Sequence, residues 1–192
     1  MLVAYIHGFL SGPNAQKALI LKRFLAENFP SVDFEAADFP DTPAEAIAAL
    51  DIFVRERMHR ELVLVGSSMG GFMSTVLQSR YGMKTVLINP CVHPQDYFAD
   101  LLGPQHNDHN GRDFVLKPHM ITTLKELDQE SFGFDAAKTM VFLQSGDEVL
   151  DYRKALDFYK GADVRVEEGG CHAFNDFERV CPLIARFAGA DR

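Results

Sequence analysis

Six short apolar runs recur along the chain, separated by longer amphipathic stretches, and this alternation limits the possible folds more than any other feature. Leu2–Ile6, Val32–Ala36, Glu61–Val65, Lys84–Ile88, Thr139–Gln144 and Ala162–Glu167 read as strands, several of them rich in Val and Ile. Between them, Ala15–Asn28, Pro43–Arg57, Gly70–Arg80, Asp151–Tyr159 and Asn175–Phe187 read as helices. Thr42 is the expected N-cap of the second helix, with Pro43 at its first position and Glu45 close behind. Strands joined by helices imply right-handed crossovers, hence a three-layer α/β architecture with a mostly parallel sheet covered on both faces. The expected order of the six strands is 2-1-3-4-5-6, the chain reversing direction beside the first strand. A site is then expected at the carboxyl ends of the strands near that switch point. The 192 residues read as a single domain, 1–192, long enough to bury a core without disulfide staples.

One stretch breaks the rhythm. From about 91 to 138 the chain is far longer than the dozen or so residues that a parallel crossover needs at minimum. Pro94–Leu102 reads as a short helix, Gln105–Arg112 as a polar loop, and Ile121–Leu127 has helical character. An insertion at the carboxyl end of a strand is expected to act as a lid or a substrate-shaping cap.

The charge balance narrows the partners. With 19 basic against 27 acidic residues the net charge is −8, and no concentrated basic surface is available to hold a phosphate backbone. A nucleic-acid partner is therefore not expected. No apolar run approaches the roughly 20 residues that span a bilayer. Leu2–Ile6 has no basic residue before it and meets His7-Gly8 at once, so it does not read as a signal peptide. Three cysteines without framework spacing fit free thiols in a reducing compartment, and a cytoplasmic location is expected.

The third strand runs directly into Gly66-Ser67-Ser68-Met69-Gly70-Gly71, and a helix follows. This is G-x-S-x-G in the strand–turn–helix setting that the motif requires. So tight a turn holds its central residue in a strained conformation and lifts the hydroxyl clear of the sheet. Centring the motif on Ser67 would put Val65 in the first glycine position, so the frame selects Ser68. The helix behind it aims the positive end of its dipole at any oxyanion that develops there.

A serine hydroxyl at neutral pH needs an adjacent base, itself oriented by a third group. After the fifth strand the chain reads Ser145-Gly146-Asp147-Glu148, and after the sixth it reads Gly169-Gly170-Cys171-His172. The order Ser68, Asp147, His172 is the order in which nucleophile, acid and base follow one another in this architecture. Asp151 is the rival acid, better placed as the N-cap of the helix it begins. The first strand ends in His7-Gly8-Phe9, which makes the backbone N–H groups of Phe9 and Met69 the expected oxyanion donors. His7 itself is expected to tie down its loop by hydrogen bonding rather than to act as a second base.

Tyr5-Ile6-His7-Gly8-Phe9, the elbow, Ser145–Arg153 and Gly169-Gly170-Cys171-His172-Ala173-Phe174 together give the chain a family resemblance nearly end to end. It resembles the α/β-hydrolase superfamily, and more closely the small bacterial YqiA-like esterases. The resemblance implies hydrolysis of a small-molecule acyl ester or thioester, acyl-CoA included, with no cofactor and no metal. Acyl transfer, lactone opening and carbon–carbon hydrolysis would use the same three residues, and a silent hydrolase-fold binding protein is the reading outside enzymology. His106, Asp108, His109 and His119 lack the closed four-ligand set of a structural zinc and read as a solvated polar loop. Tyr97, Phe98, Leu101, Leu102, Phe132 and Phe134 are candidates for an acyl pocket beneath the insertion or for its own packing.

Overall fold

A computed structural model describes residues 1–190. In chain order the elements are β1 (Leu2–Ile6), α1 (Gln16–Asn28), β2 (Asp33–Ala36), α2 (Pro43–Arg57) and β3 (Leu62–Ser67). They continue with α3 (Met69–Tyr81), β4 (Lys84–Ile88), α4 (Pro94–Phe98), β5 (Gly103–Asn107) and β6 (Arg112–Leu116). The remainder is α5 (Pro118–Ser131), β7 (Thr139–Gln144), α6 (Tyr152–Phe158), β8 (Asp163–Glu167) and α7 (Cys181–Ala188). The main sheet is parallel in the order β2-β1-β3-β4-β7-β8, which is the expected order once the two strands inside the insertion are set aside.

The near-continuous apolar runs of β1, β3, β4 and β7 follow from a sheet buried on both faces. Leu2, Ala4, Ile6 and Leu64 point to the layer formed by α2, α3 and α5, while Leu87, Val141 and Leu143 meet α6 on that same side. Val3, Tyr5, Val63, Val65, Val86 and Phe142 point the other way, to α1 and α7. Pairing of Ile6 with Gly66 and of Ser67 with Ile88 aligns the carboxyl ends of β1, β3 and β4. The loops that carry Phe9, Ser68 and Asn89 therefore open on one edge.

Four expectations needed correction. Where a polar loop was expected over Gln105–Arg112, β5 and β6 form an antiparallel hairpin with Gly103 opposite Leu116 and Asn107 opposite Arg112. The polarity of β5 concealed it: only β6 carries an apolar face, Phe114 and Leu116 packing on the core, and the tip is tied down by polar side chains. The Pro94–Leu102 helix divides into α4 and a 3-10 turn at Ala99–Leu101. The final helix begins at Cys181 rather than Asn175: positive φ at Phe174 and Asp176 interrupts the backbone, and a 3-10 turn (Phe177–Val180) precedes it. Thr42 does stand at the N-cap of α2, but its hydroxyl donates to the Glu45 carboxylate instead of accepting a backbone N–H.

Among the described residues no helix is long and apolar enough to cross a membrane.

Candidate active site

Ser68 sits between β3 and α3 at φ 54° and ψ −122°, a conformation that L-residues rarely adopt. Four bonds hold this strained turn in place: its N–H donates to Ile88 O at 3.1 Å, and its carbonyl accepts from the N–H groups of Gly71 at 2.9 Å, Cys91 at 3.0 Å and Phe72 at 3.2 Å. Ser67 is the last residue of β3 and is buried, whereas the Ser68 side chain reaches the surface of the cleft.

Gly70 lets α3 lie against the first strand. A Cβ at that position would stand 2.1 Å from Ile6 O and 2.3 Å from His7 O, both of them backbone atoms that cannot swing aside. Gly70→Ala is therefore expected to cost about 3–5 kcal/mol, the range of the severest single substitutions. Urea unfolding checks this, and a loss below 1 kcal/mol (roughly a surface-site effect) would show that the contact can relax.

His172 lies between β8 and α7. Its Nε2 is 3.0 Å from Ser68 Oγ and its Nδ1 is 2.8 Å from Asp147 Oδ2. The Asp147 side chain is only 2% exposed, against 22% for His172. Burial pushes the Asp147 carboxyl upward, but hydrogen bonds from His172 and from the N–H groups of Leu150 and Val149 outweigh it, so its pKa lies below the ordinary value. Asp151, the rival acid, accepts the N–H of Arg153 at 3.0 Å as the N-cap of α6.

A neighbour not anticipated from the sequence is Glu148, whose carboxylate accepts the His172 N–H at 2.9 Å; that bond holds its pKa low. Asn89 and Gln144 also reach the His172 loop. Asn89-Pro90 directly after an apolar strand was the available signal, although nothing in the sequence showed which loop the amide would meet.

Gly8, directly before Phe9, packs against Ser68: a Cβ there would lie 3.3 Å from Ser68 Cβ and 3.8 Å from its Oγ. Met69 N–H opens α3. Among the described residues neither the Phe9 nor the Met69 N–H has a protein acceptor. The Phe9 ring is gripped by the insertion: Phe98 meets it edge-on at 4.8 Å and Phe114 at 6.0 Å. The insertion is in turn strapped down at the hairpin tip. Buried Asn107 donates to Ser11 O at 3.1 Å and to Asp41 Oδ1 at 2.5 Å, and Asn110 donates to Asp41 Oδ2 at 3.0 Å.

His7 is stacked on Phe39 with centroids 4.0 Å apart, and its Nδ1 lies 2.9 Å from Gly8 O. Burial holds its pKa below the ordinary histidine value, and the contact with Gly8 places the neutral ring's proton on Nδ1. Beside Met69 lies a cavity of about 20 Å³ lined by Phe9, Phe39, Pro43, Ala46, Met73 and Phe98, with space for about one water. Of the six aromatic and leucine candidates from the insertion, only Phe98 reaches it. Phe132 and Phe134 pack on Phe158, Tyr97 lies under Lys154, and Leu101 and Leu102 are exposed.

His106 pairs with Asp113 at 2.7 Å and Asp108 at 3.4 Å on the surface, His109 covers Gly12, and His119 faces a separate hollow. Among the described residues no three His, Cys, Asp or Glu side chains converge as metal ligands would.

The whole chain finds counterparts among known proteins. A family model described as "Uncharacterised protein family (UPF0227)" matches residues 1–189. The fold is similar to that of Est1E from Butyrivibrio proteoclasticus (TM-score 0.78, 15% identity, 97% of this chain and 86% of that one). It is similar also to alpha/beta hydrolase domain-containing protein 10 from mouse (TM-score 0.69, 15% identity, 100% and 90% covered). The esterase domain of a Rhodothermus marinus protein matches with TM-score 0.68 and 17% identity, over 97% and 85% of the two chains.

Proposed function

The chain belongs to the UPF0227 family, its fold is that of the α/β-hydrolases, and we propose that it is a serine hydrolase of small carboxylic esters or acyl thioesters. The observation that carries this reading is the unbroken run from Ser68 Oγ through the His172 ring to Asp147, at 3.0 and 2.8 Å. Est1E and the Rhodothermus domain, named as esterases, lend it support through the shared fold.

In this mechanism Ser68 attacks the acyl carbonyl while His172 Nε2 takes the hydroxyl proton. Asp147 fixes the His172 tautomer and stabilises the imidazolium that forms. The N–H groups of Phe9 and Met69 hold the oxyanion, each such donor being worth about 2.7–4 kcal/mol in a pre-organised site. His172 then protonates the leaving alkoxide or thiolate, and the acyl group remains on Ser68. Water, deprotonated by His172, attacks the acyl-enzyme and releases the acid. The three free thiols, Cys91, Cys171 and Cys181, support a place in the reducing cytoplasm.

In this reading the acyl group points into the cavity beside Met69, whose room for about one water admits little more than an acetyl methyl. A panel of acetyl, propionyl, butyryl and octanoyl esters and thioesters, with Ser68→Ala as blank, tests both the activity and this preference. Acetyl substrates are expected to react best. Met73→Ala, which removes most of a lining side chain and enlarges the cavity, is expected to raise the octanoyl-to-acetyl ratio of kcat/KM by at least about tenfold. A ratio unmoved by that substitution would place the acyl group elsewhere.

A further inference from the structure

The segment that carries His172 has no regular structure of its own. Between β8 and α7 the chain turns through positive φ at Gly169, Gly170, Phe174 and Asp176. Such a path keeps one geometry only where surrounding groups over-determine it. Much of that support comes from two buried side-chain amides.

Asn89 follows β4 at φ 40° and is 2% exposed. Its N–H donates to Phe142 O at 2.9 Å, and its Oδ1 accepts from Gln144 N–H at 2.9 Å. The side chain thus adds a rung to the β4–β7 ladder after the β4 backbone has turned away. Its Nδ2 then donates to Cys171 O at 3.0 Å and His172 O at 3.2 Å.

Gln144 closes β7 and uses its whole amide. Oε1 accepts from Cys171 N–H at 3.1 Å and Asn175 N–H at 2.8 Å; Nε2 donates to Glu167 Oε2 at 2.9 Å and Asn175 O at 3.0 Å. The approach requires glycine at position 170, where a Cβ would lie 2.0 Å from Gln144 Oε1.

We infer that Asn89 and Gln144 are positioning residues for His172, clamping the main chain on either side of the imidazole to the β4–β7 seam so that Nε2 stays aimed at Ser68. The inference rests on the serine-hydrolase reading for its effect on rate, but the clamp itself is observable without turnover. Neutral amides suit the position, since each offers donors and an acceptor in one group and adds no charge to compete with Asp147 for the imidazolium. A displacement of about 1 Å at such a site costs roughly 10²-fold in rate.

Asn89→Gly tests this, because glycine accepts the positive φ and removes only the amide. Toward a short acyl ester its kcat is expected to fall about 10²-fold with KM unchanged. In proton NMR the downfield Nδ1–H signal of His172, sheltered by Asp147, is expected to broaden through exchange with water. Gln78→Ala is the matched control. Gln78 is also 2% exposed and clamps Asp135 and Thr139 at the opposite end of the sheet, through bonds of 2.9 to 3.0 Å. Its variant is expected to lose comparable stability while keeping kcat and the His172 signal.

Should Asn89→Gly fail to fold, Asn89→Ser, too short to reach Cys171 O, is expected to show the same two changes. A folded variant with wild-type kcat and an undisturbed signal would overturn the inference, as would equal losses in Gln78→Ala. Full hydrolysis by Ser68→Ala would instead overturn the hydrolase reading, leaving the NMR comparison to decide the clamp.

Discussion

Ser68→Ala is expected to lower ester hydrolysis by about 10⁶-fold, the scale seen when a triad nucleophile is removed. A fluorophosphonate probe should mark the wild-type protein on the Ser68 peptide alone and leave the variant unmarked. An adduct on buried Ser67, or on Cys171 beside His172, would move the nucleophile. Ser68→Gly sharpens the test, because φ 54° and ψ −122° is a strained conformation that glycine accepts readily. It should be as inactive as Ser68→Ala yet more stable than wild type by about 1–3 kcal/mol, the strain released. That pattern would mark a residue held for chemistry at the expense of stability; a stability gain without loss of activity would contradict it.

Asp147→Asn is expected to reduce kcat by about 10⁴-fold, since an amide facing His172 Nδ1 favours the wrong tautomer. Near neutral pH folding should lose only what the Asp147 charge contributes, because Asn Oδ1 still accepts the N–H groups of Val149 and Leu150. Asp151→Asn should keep most activity, as Asn caps a helix about as well as Asp. The reverse ranking on folded proteins would transfer the acid to position 151. The two proteins should also differ in acid. The Asp147 pKa is lower in the fold than in the unfolded chain, so the stability its charge contributes is complete above the unfolded value of about 3.9 and lost as pH falls through the folded one. Thermal melts should therefore show any advantage of wild type over Asp147→Asn narrowing below about pH 4. An advantage that widened there would mean the carboxyl is not held low.

The proximity of Ser68, Asp147 and His172 was legible because each follows a strand whose apolar run marks its end, and parallel strands bring their carboxyl ends to one edge. That β1 and β3 are buried on both faces was equally legible, since their runs are apolar almost throughout. The β5–β6 hairpin was not. Gly103-Pro104-Gln105-His106 carries no apolar alternation, and what fixes the hairpin are contacts between distant parts of the chain: Phe114 and Leu116 of its second strand on the core, and Asn107 on Asp41. The Asn89 and Gln144 clamps were hidden for the same reason: a buried amide announces that it needs partners, not which ones they are. Which of the insertion's aromatics line the cavity beside Met69 was not legible, because an exposed aromatic such as Phe132 looks no different in sequence from a lining residue such as Phe98.

The Asn107 strap also bears on how the molecule is assembled. Asn107 and Ser11 are 96 residues apart, and Ser68 and His172 are 104 apart. Contacts of such span cannot form until the intervening chain has collapsed, because the entropy of closing those loops precedes any reward from the contacts. The Phe9 loop, pinned through Phe98 and Phe114, waits on the insertion; the His172 loop waits on the seam between β4 and β7. Helices and much of the sheet are thus able to form before the cleft exists, and recovery of activity is a late clock for folding, behind any signal that reports secondary structure alone.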